Sequence, residues 1–148
     1  MRLLIDENTA VQLLIPLRYV LPQHHVDHVD HVTEVKWSGK KDVQLLLDTA
    51  RKGYDVLLTK DGRQLEDPDE TDSIKKAGIH HIRYSQKESG VGGLALAVGA
   101  IIAAMPFVMR ELDAADGQRL IHIRGLSPVP SQRFESMDPH KSPPRYWR

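Results

Sequence analysis

The chain contains no cysteine. That excludes disulfides, thiolate zinc sites and thiol nucleophiles, and it suits a cytoplasmic setting. Net charge is also missing, because twenty basic and twenty acidic residues cancel. Overall charge therefore gives no sign of a nucleic-acid partner, and only a local basic patch can supply one. No apolar run reaches the ~20 residues of a membrane span. The longest, Leu94 to Met109, contains Gly99 and Pro106 and is expected as a buried helix, not a membrane helix. The first residues lack the long apolar stretch and small-residue cleavage site of a signal peptide. What remains is ordinary for a soluble domain: 148 residues, 41% hydrophobic and 27% charged. That is enough for one domain with its own core.

The chain opens Met1-Arg2-Leu3-Leu4-Ile5, a short apolar run expected as a buried strand. It stops at Asp6-Glu7-Asn8, where Asn8 can cap a helix. Thr9 to Leu21 follows with helical spacing, Val11, Leu14, Ile15 and Tyr19 forming the expected core face. Pro16 interrupts it and predicts a kink or a restart. His24 to Val32 holds three near-repeats of His-Val and is expected as a second strand and a turn. Trp37 to Lys41 reads as a loop, and Asp42 opens a helix over Val43–Lys52 that Gly53 stops. Tyr54 to Thr59 is a third strand, followed by Lys60-Asp61-Gly62. Glu66 to Asp72 reads as a solvent loop, and a short helix is expected from Asp72 or Ser73 to Ala77. Ile79 to Tyr84 is a fourth strand, then Gly90, Gly92 and Gly93 lead into the long apolar helix, ending near Leu112. Arg119 to Arg124 alternates as a fifth strand.

Alternating strands and helices predict an α/β fold over residues 1–124. The expected form is a three-layer sandwich on a mainly parallel sheet with right-handed connections. Residues 125–148 are rich in Pro and Ser and read as a tail with the composition of a disordered segment. Its Arg145-Tyr146-Trp147-Arg148 can stack on bases or dock on a partner, against the plainer reading of a solvated end. The long helix is apolar around much of its circumference, so a second subunit is one candidate to cover part of it.

Three carboxylates occupy special places. Asp6 ends the first strand, Asp42 begins the second helix, and Asp61 follows the third strand. In a parallel sheet all three can meet at the carboxyl edge, where open α/β folds bind ligands. At ~4 Å two carboxylates repel by about 4 kcal/mol at an effective dielectric of ~20, so a cluster calls for a cation. Hard oxygen ligands favour Mg²⁺ or Mn²⁺. Each residue also has an ordinary reading: Asp6 with Asn8 as a helix cap, Asp42 as an N-cap, Asp61-Gly62 as a turn.

Leu3-Leu4-Ile5-Asp6-Glu7-Asn8, then Trp37-Ser38-Gly39-Lys40-Lys41-Asp42 leading to Leu45-Leu46 and Ala50, then Val56-Leu57-Leu58-Thr59-Lys60-Asp61 resemble the PIN-like domain family of bacterial and archaeal toxin–antitoxin systems. The likeness is to its small branch that begins with a strand ending Asp-Glu-Asn, and it covers residues 1 to about 85. It implies a PIN-like fold, metal-dependent cleavage of RNA phosphodiester bonds, and inhibition by a cognate antitoxin, a small DNA-binding protein. Carried over, Asp6, Asp42 and Asp61 are the catalytic acids that hold Mg²⁺ or Mn²⁺. Glu7 is an auxiliary acid, and Asn8 and Thr59 order the site by hydrogen bonds. The chain departs from the family at Arg63 and Gln64, which stand where a second acid and an aromatic are common. Arg63 can hold a substrate phosphate instead. The alternative is therefore a non-catalytic PIN-like module that binds RNA or an antitoxin.

Two other readings have less behind them. A signalling receiver domain also needs acids after strand one and an Asp after strand three, with Ser85 available after strand four. It further needs a Lys ending strand five, and no Lys occurs between Lys87 and Lys141. His24, His25, His28 and His31 are dense enough to suggest a transition-metal site. On a strand they divide between the two faces, so they are expected as exposed strand and loop residues. His80 and His81 read as ordinary strand residues on opposite faces.

Overall fold

Leu3, Leu4 and Ile5 expose no surface, which is what a strand covered on both faces requires. In the computed structural model, which describes residues 1–32, 42–60 and 63–148, Arg2–Ile5 (β1) lies inside a six-stranded sheet. His25–His28 (β2) pairs with it on one side and Val56–Thr59 (β3) on the other, both parallel. Beyond β3 come His80–Tyr84 (β4), Leu120–Ile123 (β5) and Phe134–Met137 (β6), giving the order β2-β1-β3-β4-β5-β6. Among the described strands only β6 is antiparallel. The loop expected at Trp37–Lys41 lies outside the described residues.

Helices cover both faces. Leu14–Val20 (α1) and Gly90–Ala114 (α4) pack on Leu3, Ile5, Val56, Leu58, Ile82 and Ile121. Asp42–Arg51 (α2) and Pro68–Ala77 (α3) pack on the opposite face, around Leu4, Leu57 and Leu120. The result is an α/β fold with the layering of a three-layer sandwich.

The connections do not all share one hand. β1–α1–β2 and β4–α4–β5 step in opposite directions across the sheet, yet α1 and α4 lie on the same face. The two crossovers are therefore mirror-handed. Those through α2 and α3 share the hand of β1–α1–β2, so the connection through α4 departs from the uniform right-handed set expected. The face under α2 and α3 is already covered, and α4 finds its apolar partner in α1.

Three local expectations change for identifiable reasons. Helix α1 restarts at Leu14 after a 3-10 turn over Val11–Leu13, which puts Pro16 in the first turn, where no helical bond is lost. The restart shifts the phase: Leu13, Leu14, Leu17 and Leu21 are buried, while Ile15 and Tyr19 are 78% and 86% exposed. Asn8 does not cap this helix, because the 3-10 turn begins after Ala10 without a side-chain cap. The expected loop Glu66 to Asp72 is mostly helix α3. Asp67 accepts from the amides of Asp69 and Glu70 at 2.9 and 3.0 Å, Pro68 fills the first helical position, and Gly78 closes the helix at φ 68°.

The segment after Gly125 returns to the sheet. Phe134 pairs with Ile123 and Met137 with Leu120. Trp147 then packs against the α2/α3 side of the core, and Lys75 Nζ donates to the Arg148 carbonyl. Helix α4, 25 residues long, is long and apolar enough to cross a membrane by length and composition. Here Ala97, Ala100, Ile101, Ala104, Met105, Val108 and Leu112 are buried against the sheet and α1.

The start of α4 depends on one close approach. A Cβ on Gly93 would lie 1.8 Å from the Glu88 carbonyl oxygen, whereas one on Gly92 would meet nothing within 4 Å. Gly93→Ala is expected to lower stability by about 1–3 kcal/mol through this clash. Gly92→Ala is expected to be neutral or to stabilise by up to ~1 kcal/mol through helix propensity. Urea midpoints of the two variants check this, and equal midpoints would refute it.

Candidate functional site at the carboxyl edge

The chain reverses its direction of travel across the sheet between β1 and β3. In open α/β folds the crevice outside the carboxyl ends of such strands is where ligands bind. Asp6 sits there, immediately after β1, and its amide donates to the Leu58 carbonyl at 3.1 Å. Its side chain is only 2% exposed. A buried carboxylate is costly unless hydrogen-bonded. Thr59 Oγ1 donates to Oδ2 at 2.5 Å, and Thr9 Oγ1 donates to Oδ1 at 3.1 Å. Hydroxyl donors to an ionised carboxylate are among the stronger protein hydrogen bonds.

The network continues outward. The Tyr84 hydroxyl donates to Thr9 Oγ1 at 3.1 Å. Burial pushes the Tyr84 phenol up, the bond to Thr9 opposes this, and the Asp6 charge adds to it, so Tyr84 remains a donor at neutral pH. His28 Nε2 donates to the Thr9 carbonyl at 2.8 Å, and its Nδ1 accepts the Asp30 amide at 3.1 Å. These partners fix one neutral tautomer. Residues at the ends of β2, β1, β3 and β4 thus hold one carboxylate in place.

Asp42 opens α2. Arg2 Nη1 donates to the Lys52 carbonyl at 2.8 Å, which anchors the far end of α2 at the amino edge of the sheet. Ten residues of helix rise ~15 Å from there, bringing its first residue to the carboxyl edge. The Asp42 side chain and the whole of Asp61 lie outside the described residues. Glu7 and Asn8 are exposed in the turn after Asp6. Arg63 is exposed and precedes a 3-10 turn over Gln64–Glu66. Among the described residues no group of three or more His, Asp or Glu side chains is placed to hold a metal ion. That includes the His24–His31 cluster. His28 is buried, contrary to the expectation of exposed histidines, because it serves the Thr9 backbone.

Beneath the edge lies a second buried polar pair. Gln64 accepts from His81 Nε2 at 2.6 Å. Burial first, and the Arg83 guanidinium second, push the His81 imidazole down to about 3. His81 Nδ1 has no hydrogen-bond partner among the described residues. This pair and the Thr9–Tyr84 link were missed in the sequence. The one available signal was a His within an apolar strand; Thr9 and Tyr84 are 75 residues apart and nothing local joins them.

Comparison of the chain with protein-family models, with curated proteins and with solved structures returned no match.

Thr59→Val removes a donor from a buried carboxylate and is expected to cost about 1–3 kcal/mol of stability. Tyr84→Phe leaves Thr9 bound to Asp6 and is expected to cost about 1 kcal/mol or less. Denaturant unfolding orders the two, and a larger loss in Tyr84→Phe would contradict the hierarchy of donors. For His81, the native imidazole stays neutral down to about pH 3, while the unfolded one titrates near its ordinary value of ~6.5. Between those values the unfolded chain binds the extra proton, so stability falls as pH drops, by up to ~1.4 kcal/mol per pH unit. His81→Phe should flatten the slope of stability against pH between about 6.5 and 5, where few carboxylates titrate. An unchanged slope would show that His81 is not the group responsible.

Proposed function

We propose that the chain is a PIN-like, metal-dependent ribonuclease, the toxin of a toxin–antitoxin pair, acting at Asp6, Asp42 and Asp61. The observation that carries the reading is the buried Asp6 carboxylate, held by Thr59 and Thr9 at the reversal point of the sheet. A carboxylate needed only as a helix cap has no reason to be buried there, and no helix starts at Asp6. The start of α2 at the same edge supports the second acid. The strand order is common to several doubly wound folds, so it supports the class and leaves the family to the site residues. The receiver-domain reading is weakened further by Arg124. It stands after β5 where a lysine is needed, and its guanidinium pairs with Glu135 of β6.

The donor set fits Mg²⁺ or Mn²⁺, since the acids and the two hydroxyls that orient one of them are all hard oxygen groups. Asp6, Asp42 and Asp61 would hold the ion, and when bound it supplies Lewis-acid activation of a water and of the scissile phosphate. The chain's own contributions are separate. Thr9 and Thr59 fix the orientation of the Asp6 carboxylate. Glu7 adds negative charge beside it, and Asn8 offers amide hydrogen bonds in the same turn. Arg63 and Lys60 are exposed near the end of β3 and can bind phosphate, Arg63 in two-pronged fashion. Inhibition by a small DNA-binding antitoxin, and a cytoplasmic setting, belong to this reading.

A second reading, a PIN-like module that binds RNA or an antitoxin without cutting, is favoured by one observation. Gln64 is committed to His81 and Arg63 carries a positive charge, so neither adds an acid.

The test is cleavage of a labelled RNA with Mg²⁺ or Mn²⁺ and with EDTA. Losing a group that merely supports a metal ligand costs 10–100-fold, so Asp6→Asn and Asp61→Asn are each expected to lower the rate by at least about 100-fold. Undiminished cleavage in both variants would remove the assigned site. RNA binding by the wild type with no cleavage under any divalent ion would select the binding module.

A further inference from the structure

The registers of the sheet place five polar residues in one row at its carboxyl edge. Asp6 bonds to Thr59, Thr59 is opposite Arg83, Arg83 is opposite His122, and His122 is opposite Glu135. Side chains alternate along a strand, so the face of each residue follows from its neighbour two positions away. Leu4, Leu57 and Leu120 belong to the core under α2 and α3, and Met137 packs against it. Asp6, Thr59, His122 and Glu135 therefore share that face. Arg83 shares it too, as the level partner of Thr59 and His122.

Burial falls along the row. Asp6 and Thr59 are buried, Arg83 and His122 are half-buried, and Glu135 is exposed. The row thus opens to solvent one strand beyond the residue that holds the acid.

The charges in the row are not equally matched. The Asp6 carboxylate takes hydroxyls from Thr9 and Thr59, and Glu135 pairs with Arg124. Arg83 makes no hydrogen bond and no ion pair among the described residues. Burial lowers the pKa of its guanidinium, and the Glu66 charge opposes this from beyond ion-pair distance. Burial also lowers the pKa of the His122 imidazole, and Arg83, Arg124 and Lys87 lower it further, so His122 is largely neutral at pH 7. Arg83 is then the half-buried charge of the row that lacks a partner. A charge withdrawn from water without a partner costs free energy. An anion entering from solvent would supply that partner.

The position relative to Asp6 suits one class of anion. Strands are ~4.8 Å apart, so Arg83, two strands from Asp6, stands about 10 Å away on the same face. A phosphate and one long side chain bridge such a gap. The planar guanidinium fork matches two phosphate oxygens at once.

We propose that Arg83 is a phosphate-binding residue of this edge, and that the phosphate is a phosphodiester of single-stranded RNA. The inference deepens the ribonuclease reading and rests on it for the choice of RNA.

The experiment is a fluorescence-anisotropy titration of fluorescein-labelled oligouridylate and oligoadenylate with the full chain in EDTA, so that binding is read without turnover. Arg83→Met keeps the apolar stem and removes the charge. It is expected to weaken binding of both oligomers about tenfold or more. The slope of log affinity against log salt should also shrink by about 0.7, the loss of one single-strand phosphate contact. Arg83→Lys is expected to restore the slope and only part of the affinity, because the charge returns without the fork. The urea midpoint of Arg83→Met should stay level or rise, since an unpaired, partly desolvated charge is gone. Lys76→Met, on α3 and paired with Asp72, is the charge control and is expected to bind within a factor of about two. Wild-type affinity and slope in Arg83→Met, or equal losses in Arg83→Met and Lys76→Met, overturn the assignment. A lowered midpoint with unchanged binding does so as well and makes Arg83 structural. Wild type that binds neither oligomer also overturns it, even if inorganic phosphate binds in a calorimetric titration. RNA binding that depends on Arg83, with no cleavage under Mg²⁺ or Mn²⁺, ends the ribonuclease reading and keeps the phosphate site. Cleavage that depends on Asp6 while RNA binding ignores Arg83→Met does the reverse.

Discussion

The Asp6 carboxylate, with a hydroxyl on each oxygen, is the constraint on which the carboxyl edge depends. It lies where β1 gives way to a turn, and β3 supplies one donor while the turn supplies the other. Thr59 cannot reach Oδ2 unless β1 and β3 are in register, with Ile5 opposite Leu58. Tyr84 cannot reach Thr9 unless β4 is in register with β3, with Thr59 opposite Arg83. A slip of one residue would turn Thr59 to the other face and leave the carboxylate buried with one donor fewer. Apolar burial makes the sheet stable, and this charge helps to make its register unique.

The two faces of the sheet divide the work. Under α1 and α4 the contact is almost wholly apolar, with Leu, Ile, Val, Ala and Met side chains. The α1/α4 side adds the buried bond of Tyr84 to Thr9, while the face under α2 and α3 carries Thr59 with Asp6, His81 with Gln64, and the part-buried pair of Tyr54 with Asp27 at 2.6 Å. Burial and the bond to Asp27 push the Tyr54 phenol up to about 12, so it too is a fixed donor. A polar layer of this kind costs stability relative to packed hydrocarbon and gives specificity of arrangement in return.

β1 and β3 were legible because each is a short, mainly apolar run ended by a change of residue type. Asp6, Thr59-Lys60 and Ser85 all mark ends correctly, and the helix after residue 42 and the long α4 were read from spacing. The face of α1 was misjudged because periodicity was counted through Pro16, whereas the helix begins at Leu14 and the phase is set from there. The start of α3 was hidden by its acidic composition, although Asp67-Pro68 is a cap followed by a favoured first residue. β6 was hidden by the Pro and Ser around it, since Phe134, Met137 and Trp147 are too few to form a pattern and act through distant partners. Of the candidate site, sequence located Asp6 and Thr59 as neighbours. It did not locate Thr9, Tyr84 or His28, whose roles come from contacts that no local pattern encodes. Handedness was misjudged for a global reason: the choice of face for α4 depends on which face the earlier helices have already filled.

The order of the strands also sets when the carboxyl edge can be completed. β1 is made first and sits inside the sheet, so it must wait for both of its neighbours. Thr59 is 53 residues beyond Asp6, and Tyr84 is 75 beyond Thr9. Contacts across such separations carry the loop-closure entropy that makes parallel sheets slow to form. Until β3 docks, Asp6 is a solvated charge at the end of an unpaired strand. Its burial and its orientation therefore arrive together, late, and a partly folded chain has no preorganised acid to offer.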